Sequence, residues 1–145
     1  MDKGIYCLVF KNPACTARIG ALGEVTFRPG WHVYVGSALG SGGLIRLERH
    51  IGLSRNPDRR PSWHVDYLSV NPYFPLHTTL YAVTGERLEC RLAGAIGGDA
   101  VPGFGCSDCS CTSHLFFRRK NPVLEVREAF RSLGLDATTK TLMSR

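Results

Sequence analysis

The stretch of sequence that decides the fold is Gly4–Phe10, which reads GIYCLVF. It is rich in β-branched and aromatic residues, and Lys11, Asn12 and Pro13 follow it directly. An apolar run of this composition that stops at turn-forming residues is typical of a buried β-strand. We therefore predict a buried strand over these residues.

The residues that follow predict further strands. Thr16–Ile19 and Val25–Phe27 are short β-type segments separated by glycines, and Pro29-Gly30 is a turn signal. Trp31–Gly36 alternates in the manner of a strand. The first third of the chain is therefore expected to form an antiparallel meander.

A glycine-rich connection, Ser37–Gly43, leads into a predicted helix at Leu44–Ile51, where apolar residues recur at helical spacing. Arg46 and His50 lie four residues apart on this helix. Residues at that spacing project from the same side of a helix. A guanidinium and an imidazole are therefore expected side by side.

The rest of the chain is expected to alternate between helices and strands. The predicted elements are a short helix at Trp63–Leu68 with Ser62 as its N-cap, a strand at Thr78–Val83, a helix at Glu86–Ile96, a strand at His114–Phe117 and a last helix at Pro122–Arg131. Glu89 lies off the apolar stripe of its helix. The final ten or so residues are expected to be loosely held.

Length and composition are those of one ordinary globular domain. The chain has 145 residues, of which 43% are hydrophobic and 21% charged, so a core can form without disulfides or metals. No apolar run approaches the roughly 20 residues that a membrane-spanning helix needs, and no signal peptide is apparent. We therefore expect a cytoplasmic protein with no membrane contact. The net charge of +6 favours a polyanionic partner, nucleic acid first.

The six cysteines are unevenly spread along the chain. Cys7, Cys15 and Cys90 stand alone, whereas the other three fall within residues 106–111. Without an export signal, free thiols or a bound metal are favoured over disulfides.

The cysteine cluster offers a candidate zinc site. Cys106, Cys109, Cys111 and His114 place four soft ligands within nine residues, a set that suits tetrahedral Zn²⁺. Ligands this close along the chain can strain the tetrahedron. Structural zinc therefore stands beside two alternatives, buried thiols and a redox pair.

Hydrolysis of a phosphodiester bond needs three kinds of group. One group positions or deprotonates water, a cation stabilises the charged transition state, and a carboxylate holds a metal ion. Tyr6 and Tyr34, Arg46 and Glu89 are residues of these three kinds.

Three short motifs together resemble the GIY-YIG endonuclease superfamily. They are GIY at residues 4–6, YVGS at residues 34–37 and the Arg-x-x-x-His motif at residues 46–50. More narrowly, the chain is similar to the Uri-type branch, a domain of unknown function. The segments that carry this likeness are VYVGSA at 33–38, WHVDY at 63–67, EC at 89–90 and GFGCSDCSCTSH at 103–114. The resemblance covers most of residues 3 to 119.

The resemblance implies a catalytic role for five residues. Tyr6 and Tyr34 would contact the attacking water or the scissile phosphate, one of them as the base. Arg46 would stabilise charge on the phosphate, and His50 would support the phosphate or a tyrosine hydroxyl. Glu89 would bind one divalent ion, Mg²⁺ or Mn²⁺, which takes oxygen ligands and keeps several waters.

Further residues are assigned to substrate binding. Gly36 and Ser37 would let the backbone approach the substrate closely. Arg55 would contact phosphate in a basic segment that also contains Arg59 and Arg60, and a second basic cluster lies at residues 118–120. His64 would line the groove. The alternative is that His64 and Asp66 make structural hydrogen bonds.

The sequence departs from the family pattern in two respects. The two tyrosine motifs are far apart, which indicates an inserted hairpin around Gly20 to Pro29, and a late asparagine that some members carry is not found. Glu86 also competes with Glu89 for the metal, because the two lie three residues apart on nearly the same helix face.

These observations predict an α/β (α+β) fold in which helices flank a three-stranded antiparallel sheet with an inserted hairpin. Residues 1–120 would form the nuclease-like domain, and residues 121–145 a helix and tail packed on it or trailing from it. The expected function is metal-dependent hydrolysis of DNA, with RNA left open. The alternative is a non-catalytic nucleic-acid-binding module. Monomer and homodimer are both left open.

Overall fold

The computed structural model describes residues 1–56, 60–105 and 111–142. Within these ranges the chain forms seven strands and four helices. In chain order they are β1 (Gly4–Asn12), β2 (Cys15–Arg18), β3 (Glu24–Phe27), β4 (Gly30–Ala38), α1 (Ile45–Arg55), α2 (His64–Ser69), β5 (Leu76–Val83), α3 (Glu89–Ile96), β6 (Leu115–Arg118), α4 (Val123–Ser132) and β7 (Thr138–Thr141). The protein therefore has an α+β fold. No helix within the described ranges has the length and apolar character that crossing a bilayer requires.

The main sheet has five strands in the order β6-β4-β1-β5-β7, and every neighbouring pair is antiparallel. The predicted count of three strands was therefore too low, because β6 and β7 extend the sheet at its two edges. β7 lies where a loose tail was expected. Its four residues, TTKT, are all exposed, so they carry no apolar pattern, and backbone pairing with β5 makes them a strand.

The inserted hairpin is confirmed, but the predicted meander is wrong. β2 and β3 pair only with each other, and β1 pairs instead with β4, which follows the hairpin in the chain. Ile19 and Phe27 are buried and anchor the hairpin on the main core. The hairpin is thus an insertion between two strands that are neighbours in the sheet.

β1 is apolar from Gly4 to Phe10 because both of its faces are covered there. Alternate residues of the strand point to opposite faces of the sheet and belong to two separate clusters. The two sets are Ile5, Cys7 and Val9 on the side of α3 and α4, and Tyr6, Leu8 and Phe10 on the side of α1, α2 and the hairpin. Tyr6 therefore lies on the face of β1 that α1, α2 and the hairpin cover.

All four helices begin later than the sequence predicted, α1, α2 and α4 by one residue and α3 by three. The helix expected from Glu86 begins at Glu89, because the backbone N–H of Glu86 donates to Thr84 Oγ1 at 3.1 Å in a preceding turn. The N-cap of α2 is Trp63 rather than Ser62. The last helix, α4, buries Val126 and Phe130 in the same cluster as α3 and the sheet. The C-terminal helix is thus part of the core.

Candidate active site

Tyr6 is a fully buried side chain in β1, directly opposite Gly36 of β4. A Cβ atom added to Gly36 would lie 2.6 Å from Cζ of Tyr6, far inside van der Waals contact. The bare backbone at Gly36 therefore makes room for the Tyr6 ring. The sequence had instead predicted that Gly36 lets the backbone approach the substrate closely.

The hydroxyl of Tyr6 meets His50 of α1, with 3.0 Å between Oη and Nε2. On the far side of the imidazole, Nδ1 of His50 lies 3.7 Å from Oδ1 of Asp66 in α2. The side chains of all three are buried. Three elements of the fold thus assemble a buried tyrosine, histidine and aspartate in a row.

The carboxylate of Asp66 is held by several donors. Arg49 donates through Nη1 and Nη2 at 3.2 and 3.0 Å, and the backbone N–H groups of Ser62 and Trp63 donate at 2.8 and 3.0 Å. Burial alone would raise the pKa of Asp66, but these hydrogen bonds outweigh it and lower the pKa. Asp66 is therefore ionised at neutral pH.

Burial sets the charge of the other two groups. Burial raises the pKa of Tyr6 well above its usual value, and Tyr34 raises it further by a smaller amount. Burial also lowers the pKa of His50, although the nearby Asp66 carboxylate acts to raise it. Both groups are thus neutral at pH 7. Because Nδ1 faces the ionised carboxylate of Asp66, the tautomer with the proton on Nδ1 is favoured, and in that tautomer the phenol donates to Nε2.

A cavity of about 390 Å³ opens beside Tyr6. Its lining includes six of the residues that sequence analysis had assigned to the site, namely Tyr6, Tyr34, Ser37, Arg46, His64 and Glu89. Tyr34 is paired with Leu8, two positions along β4 from Gly36, so its side chain shares the sheet face of Tyr6. The fold therefore brings both tyrosines, one cation and one carboxylate to one cavity.

Two arginines converge at the edge of this cavity. Arg46 donates from Nη1 to the carbonyl oxygen of Ser37 at 2.9 Å, which fixes the guanidinium beside β4. The guanidinium carbons of Arg46 and Arg49 each lie 4.7 Å from the centre of the Trp63 ring. Trp63 itself is 43% exposed. The edge of the cavity thus combines the positive charge of Arg46 with an aromatic side chain, and Arg49, which lies on the same ring, is paired with Asp66.

The sequence predicted no catalytic role for Asp66, Arg49 or Trp63. It did predict structural hydrogen bonds for His64 and Asp66, and the structure contains them. The ring of His64 accepts from the backbone N–H of Gly105 at 2.8 Å, besides lining the cavity. The chain pattern gave no signal that Asp66 would lie behind His50, since that depends on how α2 packs against α1.

Two basic positions lie away from the tyrosines or already have partners. Arg55 lines a separate cavity of about 470 Å³ next to Ile51 and Ser69. Arg118 donates to the carboxylate of Glu125 and to the carbonyl oxygens of Ile96 and Gly97. Of the basic segment at residues 55–60, Arg59 lies outside the described residues.

The cysteines differ from expectation. Cys90 and Cys111 form a disulfide, with Cα atoms 5.9 Å apart, where free thiols or a metal had been favoured. The two cysteines are 21 residues apart in the sequence, so the sequence pattern did not predict this disulfide. It forms because the first turn of α3 lies beside the segment before β6. Of the predicted zinc ligands, Cys106 and Cys109 lie outside the described residues.

Glu89 is suited to hold a divalent cation. Its side chain is 28% exposed and lines the cavity with both tyrosines, whereas Glu86 is not among the lining residues that the structure describes. One carboxylate that leaves room for several waters is the kind of site that Mg²⁺ takes. The residues present therefore fit such an ion.

Comparison with known proteins identifies a family. The family described as "Domain of unknown function DUF123" matches residues 5–135. The chain belongs to this family. The DUF123 match extends from β1 through α4 and so includes the whole cavity described above. No curated protein and no solved structure matches the chain.

Proposed function

We propose that the protein is a metal-dependent endonuclease of GIY-YIG type that hydrolyses phosphodiester bonds in DNA. The observation that carries the proposal is the buried row of Tyr6, His50 and Asp66, which opens on a cavity that also contains Arg46 and Glu89. The resemblance of the GIY, YVGS and Arg-x-x-x-His motifs to nucleases of that superfamily also supports it, since those motifs contain Tyr6, Arg46 and His50.

The buried row provides a route for the proton of an attacking water. The Tyr6 oxygen accepts a proton from water while its own hydroxyl proton passes to Nε2 of His50, 3.0 Å away. The resulting imidazolium faces the carboxylate of Asp66. Because burial strongly disfavours an isolated tyrosinate here, a concerted transfer is the favoured course.

Asp66 acts in this scheme as a positioning residue. Its carboxylate favours the His50 tautomer with the proton on Nδ1, and it stabilises the imidazolium that forms when Nε2 is protonated. The gap of 3.7 Å is longer than a hydrogen bond, and catalytic contacts of this kind often shorten only when substrate binds.

Arg46, Tyr34 and Glu89 act on the phosphate. The guanidinium of Arg46 stabilises negative charge on the phosphorane-like transition state, held in place by the Ser37 carbonyl. Tyr34 lines the same cavity and orients the phosphate through its hydroxyl. A divalent ion held by Glu89 would add positive charge at a phosphate oxygen.

The test is a cleavage assay with single-stranded, duplex and branched DNA, and with RNA, in Mg²⁺, Mn²⁺ or EDTA. Wild-type protein should cleave DNA only with metal. Tyr6→Phe should lower the rate by about 10²-fold or more, because the proton route is lost. Arg46→Ala should lower it by about 10²- to 10³-fold. Arg131→Ala is the matched control and should leave the rate unchanged, because Arg131 lies in α4, which packs on the other face of the sheet from the tyrosine cavity, and pairs with Glu128.

The proposal fails if no metal-dependent cleavage of DNA is seen, or if Tyr6→Phe and Arg46→Ala cleave as fast as wild type. Binding is measured in the same samples over a salt series. DNA affinity that falls with salt in the absence of any cleavage would identify the protein as a non-catalytic nucleic-acid-binding module instead.

A further inference from the structure

Two sulfur atoms and an imidazole nitrogen converge beside the first turn of α3. Nε2 of His114 lies 3.1 Å from Sγ of Cys111 and 3.9 Å from Sγ of Cys90, and the three ligand atoms all lie within 4.8 Å of one another. A tetrahedral zinc ion with Zn–S of about 2.3 Å and Zn–N of about 2.0 Å places its sulfur and nitrogen ligands about 3.5 Å apart. The two observed nitrogen–sulfur distances lie on either side of that value.

Backbone hydrogen bonds fix the position of His114. Its backbone N–H donates to the Phe104 carbonyl at 2.9 Å, and its carbonyl accepts from Val35 of β4 at 2.9 Å. With the backbone fixed in this way, Nε2 faces the sulfurs and Nδ1 lies 4.0 Å from Oε2 of Glu89. That separation is longer than a hydrogen bond, and a closer approach of the carboxylate would favour the tautomer that leaves Nε2 available to the metal.

The two cysteines are accessible from a second cavity. Cys90 and Cys111 line a space of about 480 Å³ together with Gly94, Gly98 and Phe116. His114 and Glu89 line the tyrosine cavity instead. A reductant or a metal ion can therefore reach the sulfurs without passing through the proposed nuclease site.

We propose that Cys90, Cys111 and His114 bind a zinc ion when the Cys90–Cys111 disulfide is reduced. A dithiol or phosphine reductant supplies two electrons, and two protons from solvent complete the two thiols. Zinc binding then displaces both thiol protons, and neutral His114 donates the lone pair of Nε2. These three residues leave the fourth position of the tetrahedron to another ligand.

This ligand set differs from the one that the sequence predicted. It keeps Cys111 and His114 but adds Cys90, which stood alone in the chain pattern. The added ligand relieves the difficulty of four ligands crowded within nine residues, because Cys90 comes from a different element. The site does not depend on the proposed nuclease activity.

The test measures zinc in protein reduced with a phosphine, incubated with zinc sulfate and freed of excess metal. Reduced wild type should retain about one equivalent of zinc, and Cys90→Ser less than about a tenth. Cys15→Ser is the matched control, because Cys15 is a free thiol elsewhere in the fold, and should retain zinc like wild type. Cobalt(II) in place of zinc should give the visible bands of a tetrahedral thiolate site in the reduced protein alone.

A second arm does not depend on any variant folding. Wild type oxidised with diamide contains the disulfide described here, and it should bind no zinc until a reductant is added. Equal zinc content in oxidised and reduced protein would overturn the proposal. So would reduced wild type without zinc, or Cys90→Ser that folds and keeps its zinc.

Discussion

Substitution of Gly36 by alanine tests the placement of Tyr6. The added Cβ would lie 2.6, 2.7 and 2.8 Å from Cζ, Oη and Cε1 of the Tyr6 ring. Non-bonded carbon atoms prefer about 3.5–4.0 Å, so the ring or the β4 backbone must move by about 1 Å. The tyrosine has little room to do so, because its ring is buried and its hydroxyl is bonded to His50.

Overpacking of a closed core costs about 1–3 kcal/mol, and we expect Gly36→Ala to lose stability in that range. A shift of about 1 Å at Tyr6 would also break its hydrogen bond to His50 and lower the cleavage rate by about 10²-fold. Gly52→Ala is the matched control in α1. Nothing lies within 4 Å of its added Cβ, so it should be stabilising by up to about 1 kcal/mol and leave cleavage unchanged.

The measurements are urea unfolding and the cleavage assay, with a second pair of variants in a Tyr6→Leu background. Without the aromatic ring, the added methyl group of Gly36→Ala should cost less than about 1 kcal/mol. If Gly36→Ala has the same unfolding midpoint as wild type and loses only DNA affinity, then Gly36 serves the substrate rather than Tyr6, and the packing argument is wrong.

Three further outcomes are expected. Burial lowers the pKa of His32 to about 4, so as the pH falls the unfolded chain protonates this imidazole before the folded protein does. The His32 contribution to the free energy of unfolding should therefore fall by about 3 kcal/mol between about pH 6.5 and about pH 4. Urea unfolding of wild type and His32→Gln at pH 7 and pH 4 measures this loss. Leu92→Ala should lose about 2–5 kcal/mol in the same assay, since Leu92 is fully buried between α3 and the sheet. Asp66→Asn should lower kcat by about 10²-fold with a smaller change in KM, because the imidazolium of His50 loses its carboxylate; steady-state cleavage kinetics distinguish this from a binding defect.

The sequence pattern predicted those parts of the fold that depend on residues close together in the chain. The apolar run of β1 identified a strand buried on both faces, and the spacing of Arg46 and His50 placed them on one side of a helix. Helix α1 holds both residues at the tyrosine face, with His50 on the Tyr6 hydroxyl and Arg46 on the cavity wall. These outcomes depend only on the period of a strand and of a helix.

Other features arise from packing between distant segments and left no trace in the pattern. Asp66 lies near His50 because α2 packs against α1, and Cys90 bonds to Cys111 because the first turn of α3 lies beside the segment before β6. β7 is polar and exposed, so only its backbone pairing with β5 makes it a strand. Each of these contacts joins segments whose relative placement is decided by the whole core rather than by any motif.

The first turn of α3 contributes Glu89 to the proposed nuclease site and Cys90 to the proposed zinc site. Consecutive helix residues point about 100° apart, so Glu89 and Cys90 can serve different cavities. His114 links them, with one ring nitrogen near the Glu89 carboxylate and the other near the sulfurs. Exchange of the disulfide for a zinc ion with two thiolates would leave the net charge unchanged, but the ion would bind Nε2 and so fix the imidazole proton on Nδ1, the nitrogen that lies nearest Glu89. The carboxylate proposed to hold the divalent ion is therefore separated from the cysteines by one imidazole ring, which itself lines the cavity.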